Sequence, residues 1–153
     1  AVAMVDGTPD DVENAMFTPI PADTWLGRAM DHARTLRRTA GGILDVWDAL
    51  HTDFYTLEHA VVEEALPQVY GVSMLTDLEY RNGMFWATNF GRDADTIAAI
   101  VGAIAGARHG LSAIPDSWIA PVRRPSGTCL RFSADEDMIE IGTELAELAI
   151  RIG

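Results

Sequence analysis

Apolar residues recur at three- and four-residue spacing along almost the whole of this sequence, the period of a helix with one buried stripe. Asp23 and Thr24 precede Trp25, Leu26, Ala29, Met30, Ala33 and Leu36, a stripe that stops near Gly41-Gly42. Residues 43–50 repeat the pattern briefly, and Leu57, Ala60, Val61, Ala65, Leu66 and Val69 form another stripe, predicted to end at Gly71. Thr76-Asp77-Leu78-Glu79 has capping-box spacing for a helix through about Thr88, with Gly83 inside it. A further helix is predicted after Asp93, ending at His109-Gly110, and Pro115 opens a short one over residues 116–119. Ser133-Ala134-Asp135-Glu136 reads as the cap of a final helix whose Met138, Ile141, Leu145, Leu148 and Ile152 are expected to face inward. No alternating run of β-branched residues competes, so the expected fold is all-α.

The helix after Asp93 carries Gly102 and Gly106 beside Ala98, Ala99, Ala103 and Ala107. Glycine inside a helix costs about 1 kcal/mol relative to alanine, so two of them predict close approach by a neighbouring helix. Trp25, Trp47, Trp86 and Trp118 are expected as core anchors, and His59 and His109 as structural residues.

Charge narrows the partners. The net charge is −12, and all eleven basic residues are Arg. The nearest thing to a basic patch is Arg34-Arg37-Arg38 on one helix face, so a nucleic-acid partner is not expected. With 48% hydrophobic residues in 153, one domain with a real core is expected. The longest apolar run, residues 97–107, is about half the ~20 residues that span a bilayer, and Cys129 stands alone. No membrane partner and a cytoplasmic setting follow as expectations. Ala1-Val2-Ala3-Met4-Val5 reads as a helix entered midway, so the 153 residues are expected to be part of a longer protein.

Asp93, Asp95 and Thr96 gather two carboxylates and a hydroxyl at one helix start. Hard oxygen donors at positions i, i+2 and i+3 suit Mg²⁺, Mn²⁺ or Ca²⁺ rather than zinc or copper. Three oxygens leave positions for water, substrate or other side chains. The plain structural reading is an acidic helix cap. An EF-hand loop is excluded, because its twelfth position falls on Ile104. A haloacid-dehalogenase-like phosphatase loop, a remote alternative, would need a preceding buried strand, and residues 86–92 are mixed.

The run Asn89-Phe90-Gly91-Arg92-Asp93-Ala94-Asp95-Thr96 and the small-residue helix after it, followed by Gly110-Leu111-Ser112-Ala113-Ile114-Pro115 and Trp118, resembles the C-terminal signature of the ADP-ribosylglycohydrolase family. The upstream Glu58-His59-Ala60-Val61-Val62-Glu63-Glu64-Ala65-Leu66 is similar in order and spacing. The resemblance implies an all-α, helical orthogonal bundle that binds two Mg²⁺ ions, with Mn²⁺ as a substitute, and cleaves ADP-ribose from a modified side chain or small molecule. It carries Asp93, Asp95 and Thr96 onto metal ligands, with Asp95 bridging the ions, and Gly91 and Arg92 onto substrate contacts. Arg92 has a second reading, as a charge offsetting its two acidic neighbours.

The family's other ligands, a Thr-Asp-Asp or Ser-Asp-Asp run, and its acidic base belong to an N-terminal half. The one adjacent aspartate pair, Asp10-Asp11 after Thr8-Pro9, lies in a segment read as turn-like. Residues 1–153 are therefore expected to be the C-terminal half of one domain, with no catalytic base of their own and the N-terminal half as partner. The alternative is a non-catalytic ADP-ribose-binding or interaction module.

Overall fold

The computed structural model describes residues 1–58 and 60–152, so His59 lies outside the described residues. The described residues form helices and turns with no strand, as the spacing predicts. The chain divides into two compact units, Ala1–Ala113 and Ile114–Gly153.

The first unit holds α1 (Pro9–Phe17), α2 (Trp25–Thr39), α3 (Trp47–Thr52), α4 (Val62–Leu75), α5 (Tyr80–Thr88) and α6 (Ala94–His109). Helix α4 is its centre: α2 packs on it, as does α6, and α5 packs on α6. Residues 67–74 of α4 are all buried, with Val69, Tyr70 and Val72 meeting Met30 and Ala33 of α2 and Leu50 of α3 in one core. Gly71 does not end this helix. A Cβ there would stand 2.7 Å from a Leu50 methyl, so the glycine admits α3 while the helix continues to Leu75. Nor does α4 begin at Leu57, which is 91% exposed and precedes the first helical residue, Val62.

The box read at Thr76-Asp77-Leu78-Glu79 belongs to two helices. Thr76 ends α4, its hydroxyl donating to the Val72 carbonyl at 2.8 Å, and the Leu78 amide closes back on the Ser73 carbonyl at 2.9 Å. Asp77 and Leu78 both have positive φ, 54° and 58°, which no helix start accepts. Glu79 caps α5 instead, accepting from the Arg81 and Asn82 amides at 3.0 and 2.6 Å. The sequence-legible cap at Thr24 does hold, accepting from Gly27 N at 2.9 Å.

Thr8-Pro9-Asp10-Asp11 is not a turn but the capping box of α1. The Asp11 amide donates to Thr8 Oγ1 at 3.2 Å, while the Asp11 carboxylate accepts from the Thr8 amide at 2.9 Å. The Thr8 hydroxyl, donating to the Asp11 carboxylate at 2.6 Å, and the Thr8 amide hold the Asp11 carboxyl below its ordinary range. Ala3–Val5 forms one tight turn, ended by Asp6 at φ 59°, rather than a helix entered midway.

The small face of α6 is used. A Cβ on Gly102 would meet Met84 Sδ of α5 at 2.9 Å, and one on Gly83 would meet Val101 Cγ1 at 3.1 Å. Trp47 and Trp86 pack together, ring centres 5.0 Å apart, as core anchors. Trp25 and Trp118 are exposed, against expectation.

The second unit holds α7 (Asp116–Ile119) and α8 (Met138–Ile152). Asp137 caps α8, accepting from the Ile139 amide at 3.1 Å, so Ser133 is not the cap. Arg123 Nε and Arg124 Nη2 donate to the same buried carboxylate at 2.7 and 2.9 Å. Burial would raise the Asp137 carboxyl, but these bonds hold it below its ordinary range. Met138, Leu145, Leu148 and Ile152 do not face inward; all are exposed, Leu145 by 61%. Periodicity gave the helix and its stripe but not whether the stripe is covered. Among the described residues no helix is long and apolar enough to cross a membrane.

Candidate metal and ADP-ribose site

The candidate site begins where α5 stops. Phe90 is buried, and its ring stacks on His51 of α3 with centres 4.0 Å apart and 6° between planes. His51 Nε2 lies 2.8 Å from the Phe90 carbonyl oxygen and Nδ1 lies 2.7 Å from that of Trp47. One aromatic cluster thus fixes the chain just before it turns.

Gly91 and Arg92 follow with φ of 84° and 50°. For glycine the left-handed region is free, whereas a non-glycine residue there costs roughly 1–2 kcal/mol and persists only where its surroundings hold it. Arg92 is held. Its Nε and Nη2 donate to the two carboxylate oxygens of Glu64 on α4, the latter at 3.0 Å, and Nη2 also donates to the Thr56 carbonyl at 2.8 Å. The guanidinium lies 4.3 Å over the Tyr55 ring. Glu64 is 2% exposed and further accepts from the Thr56 hydroxyl and amide at 2.6 and 3.1 Å. Burial alone would raise its carboxyl; the bonds from Arg92 and Thr56 outweigh burial and set it below its ordinary value of 4.5. The same ion pair pushes the Arg92 guanidinium up.

The counter-ion of Arg92 is therefore Glu64, 28 residues away, and neither Asp93 nor Asp95. Sequence spacing missed Glu64, Thr56 and Tyr55, because a contact across that separation leaves no local pattern. The only signal was that Glu64 stands in the upstream stretch that accompanies the Asp93 motif.

Asp93 opens α6 with φ −92° and ψ 41°, outside ordinary cap geometry, and its carboxylate makes no capping bond. Asp95 and Thr96 are exposed in the first turn. Among the described residues nothing donates to either aspartate, and the Thr96 hydroxyl has no partner. Elsewhere helical threonines return their hydroxyls to the carbonyl four residues back, as Thr35, Thr52, Thr88 and Thr143 do at 2.8 to 3.0 Å. The turn thus offers three uncommitted hard oxygen donors beside an exposed Gly91, whose missing Cβ leaves open space. That donor set fits Mg²⁺ or Mn²⁺. It is not a closed one, since among the described residues no three of His, Cys, Asp and Glu gather as a metal-binding group.

The sequence matches the profile of the ADP-ribosylglycohydrolase family over residues 1–151. Searches of curated proteins and of solved structures returned no match. The match spans nearly all 153 residues, the observed architecture is all-helical as that family's is, and the motif-bearing turn lies inside it: the chain belongs to the ADP-ribosylglycohydrolase family.

Proposed function

We propose that this chain takes part in metal-dependent hydrolysis of the glycosidic link between ADP-ribose and a modified side chain or small molecule. Asp93, Asp95 and Thr96 are one side of a two-ion Mg²⁺ site, with Mn²⁺ as a substitute, and the other ligands and the acidic base lie outside these residues. The observation that carries this reading is the uncommitted state of the three oxygens in a chain of this family. Oxygens left without internal partners at a helix start are available to a ligand, whereas a mere cap would be bonded to its own amides.

The bound ions would supply Lewis-acid stabilisation and orientation of ribose hydroxyls and a water. Within that arrangement Asp95 would be shared by both ions, while Asp93 and Thr96 would bind one of them. The Gly91 backbone, lacking a side chain, lets the sugar approach closely, and the turn fixes where these oxygens sit relative to the anomeric carbon. Departure of the leaving group leaves oxocarbenium-like charge on the ribose, which the nearby carboxylates favour. Arg92 faces Glu64, and we place its role in shaping the turn ahead of direct contact with the diphosphate.

The test is release of ADP-ribose from a modified protein with Mg²⁺ present, using this chain joined to an upstream half that carries a hydroxyl-Asp-Asp run. Activity that disappears in Asp95→Ala is expected. Calorimetric binding of ADP-ribose that survives Asp95→Ala, without turnover in either protein, would establish the binding-module alternative instead.

A further inference from the structure

We propose that Glu64 is a positioning residue for the metal-binding turn, acting through Arg92; this rests on the metal reading of Asp93, Asp95 and Thr96. Glu64 belongs to α4, the best-buried helix, and its two oxygens take both arms of the guanidinium. Arg92 also bonds the Thr56 carbonyl at 2.8 Å and lies over Tyr55, so three residues from two parts of the chain converge on one side chain. That side chain holds its own backbone at φ 50°, and the next residue is Asp93. The peptide between them fixes where the Asp93 carboxylate begins and the angle at which α6 presents Asp95 and Thr96. His51 secures the preceding Phe90 carbonyl at 2.8 Å, which leaves the Glu64–Arg92 pair as the hold on the far side of Gly91.

Charge alone predicts opposite signs for two variants, whereas positioning predicts the same sign for both, which makes the inference testable. Arg92→Gly removes a cation near two carboxylates, so charge alone would tighten a divalent ion; Glu64→Gln removes an anion, so charge alone would loosen it. Positioning loosens both. Glycine adopts φ 50° without strain, so the Arg92→Gly turn is freed rather than clashing. Arg92→Lys keeps the charge and loses the fork, and it carries the test should Arg92→Gly fail to fold by far-ultraviolet circular dichroism.

Mn²⁺ affinity is measured by calorimetry for wild type, these variants and Asp95→Asn, each as this chain joined to an upstream half that carries a hydroxyl-Asp-Asp run. Groups that orient metal ligands without touching the metal typically change affinity 10- to 100-fold. We expect losses of roughly 10-fold in Arg92→Gly, Arg92→Lys and Glu64→Gln, and loss of measurable binding in Asp95→Asn. Unchanged or tighter binding in Arg92→Gly, or unchanged binding in Arg92→Lys, overturns the positioning role while Asp95→Asn still vindicates the metal reading. Wild-type affinity in Asp95→Asn, or no binding by wild type, removes the metal reading and the inference together.

Discussion

Glu64 is buried and accepts from Arg92 and from the hydroxyl and amide of Thr56, whereas Asp95, three residues past Arg92, is exposed and engages no partner among the described residues. Both are carboxylates close to one guanidinium in sequence or space, and the protein uses that cation for the buried one. Desolvation explains the choice. An ionised carboxylate removed from water must be paired and hydrogen-bonded, while an exposed one at a helix start is already favoured by water and by the helix dipole. The Glu64 cluster is thus built for the fold, and the Asp93–Thr96 turn is left available to a ligand.

The largest way to break this contrast is to truncate each acid in turn. Glu64→Ala leaves the partly exposed Arg92 without its counter-ion beside an emptied, buried socket and is expected to cost more than about 1 kcal/mol in urea unfolding. Asp95→Ala, measured without divalent ions, is expected to stay within about 0.5 kcal/mol of wild type, as exposed substitutions do. Equal losses from the two would remove the distinction.

Acid sharpens the comparison further. Glu64 has its carboxyl set below 4.5, so its contribution is complete above that pH and fades as pH falls through the lower folded-state value. The gap in Tm between wild type and Glu64→Gln is therefore expected to be constant from neutrality to about pH 5 and to close below it. Asp11 and Asp137, also held low by their bonds, keep an acid limb in both proteins. A gap that widens in acid would contradict the pairing.

The smallest effect concerns what carries the Asp93–Thr96 turn. A Cβ at Gly106 would meet the Tyr80 ring at an ordinary 3.7 Å, whereas at Gly102 it would press Met84 Sδ at 2.9 Å. Gly106→Ala is expected to stabilise by up to about 1 kcal/mol. Gly102→Ala should give less or reverse the sign, because the α5–α6 contact must shift. A larger gain at Gly102 would mean that α6 is not seated against α5 as described.

How much was legible in the sequence follows from the range of each interaction. The 3.6-residue period carried the all-α class, α2, α6 and the Thr24 cap, all local features. Boundaries set by tertiary contact were not readable: Gly71 looks like a stop but is the gap into which Leu50 fits, and Thr76 looks like a start but closes α4. The stripe on α8 was correct as a pattern and wrong as burial, since amphipathicity does not say whether a partner surface exists. At the candidate site the motif Asp93-Ala94-Asp95-Thr96 stood out because its donors lie within one turn. Its support did not, because the Arg92–Glu64 pair spans 28 residues.

The account stands on whether the turn at the start of α6 binds a divalent ion. Electron paramagnetic resonance of Mn²⁺ titrated into wild type and Asp95→Asn, each joined to an upstream half that carries a hydroxyl-Asp-Asp run, reads this directly, since free aquo-Mn²⁺ and bound Mn²⁺ have different line shapes. We predict that wild type depletes the free signal and that Asp95→Asn leaves it at the buffer level; equal depletion by both proteins would contradict the proposed site.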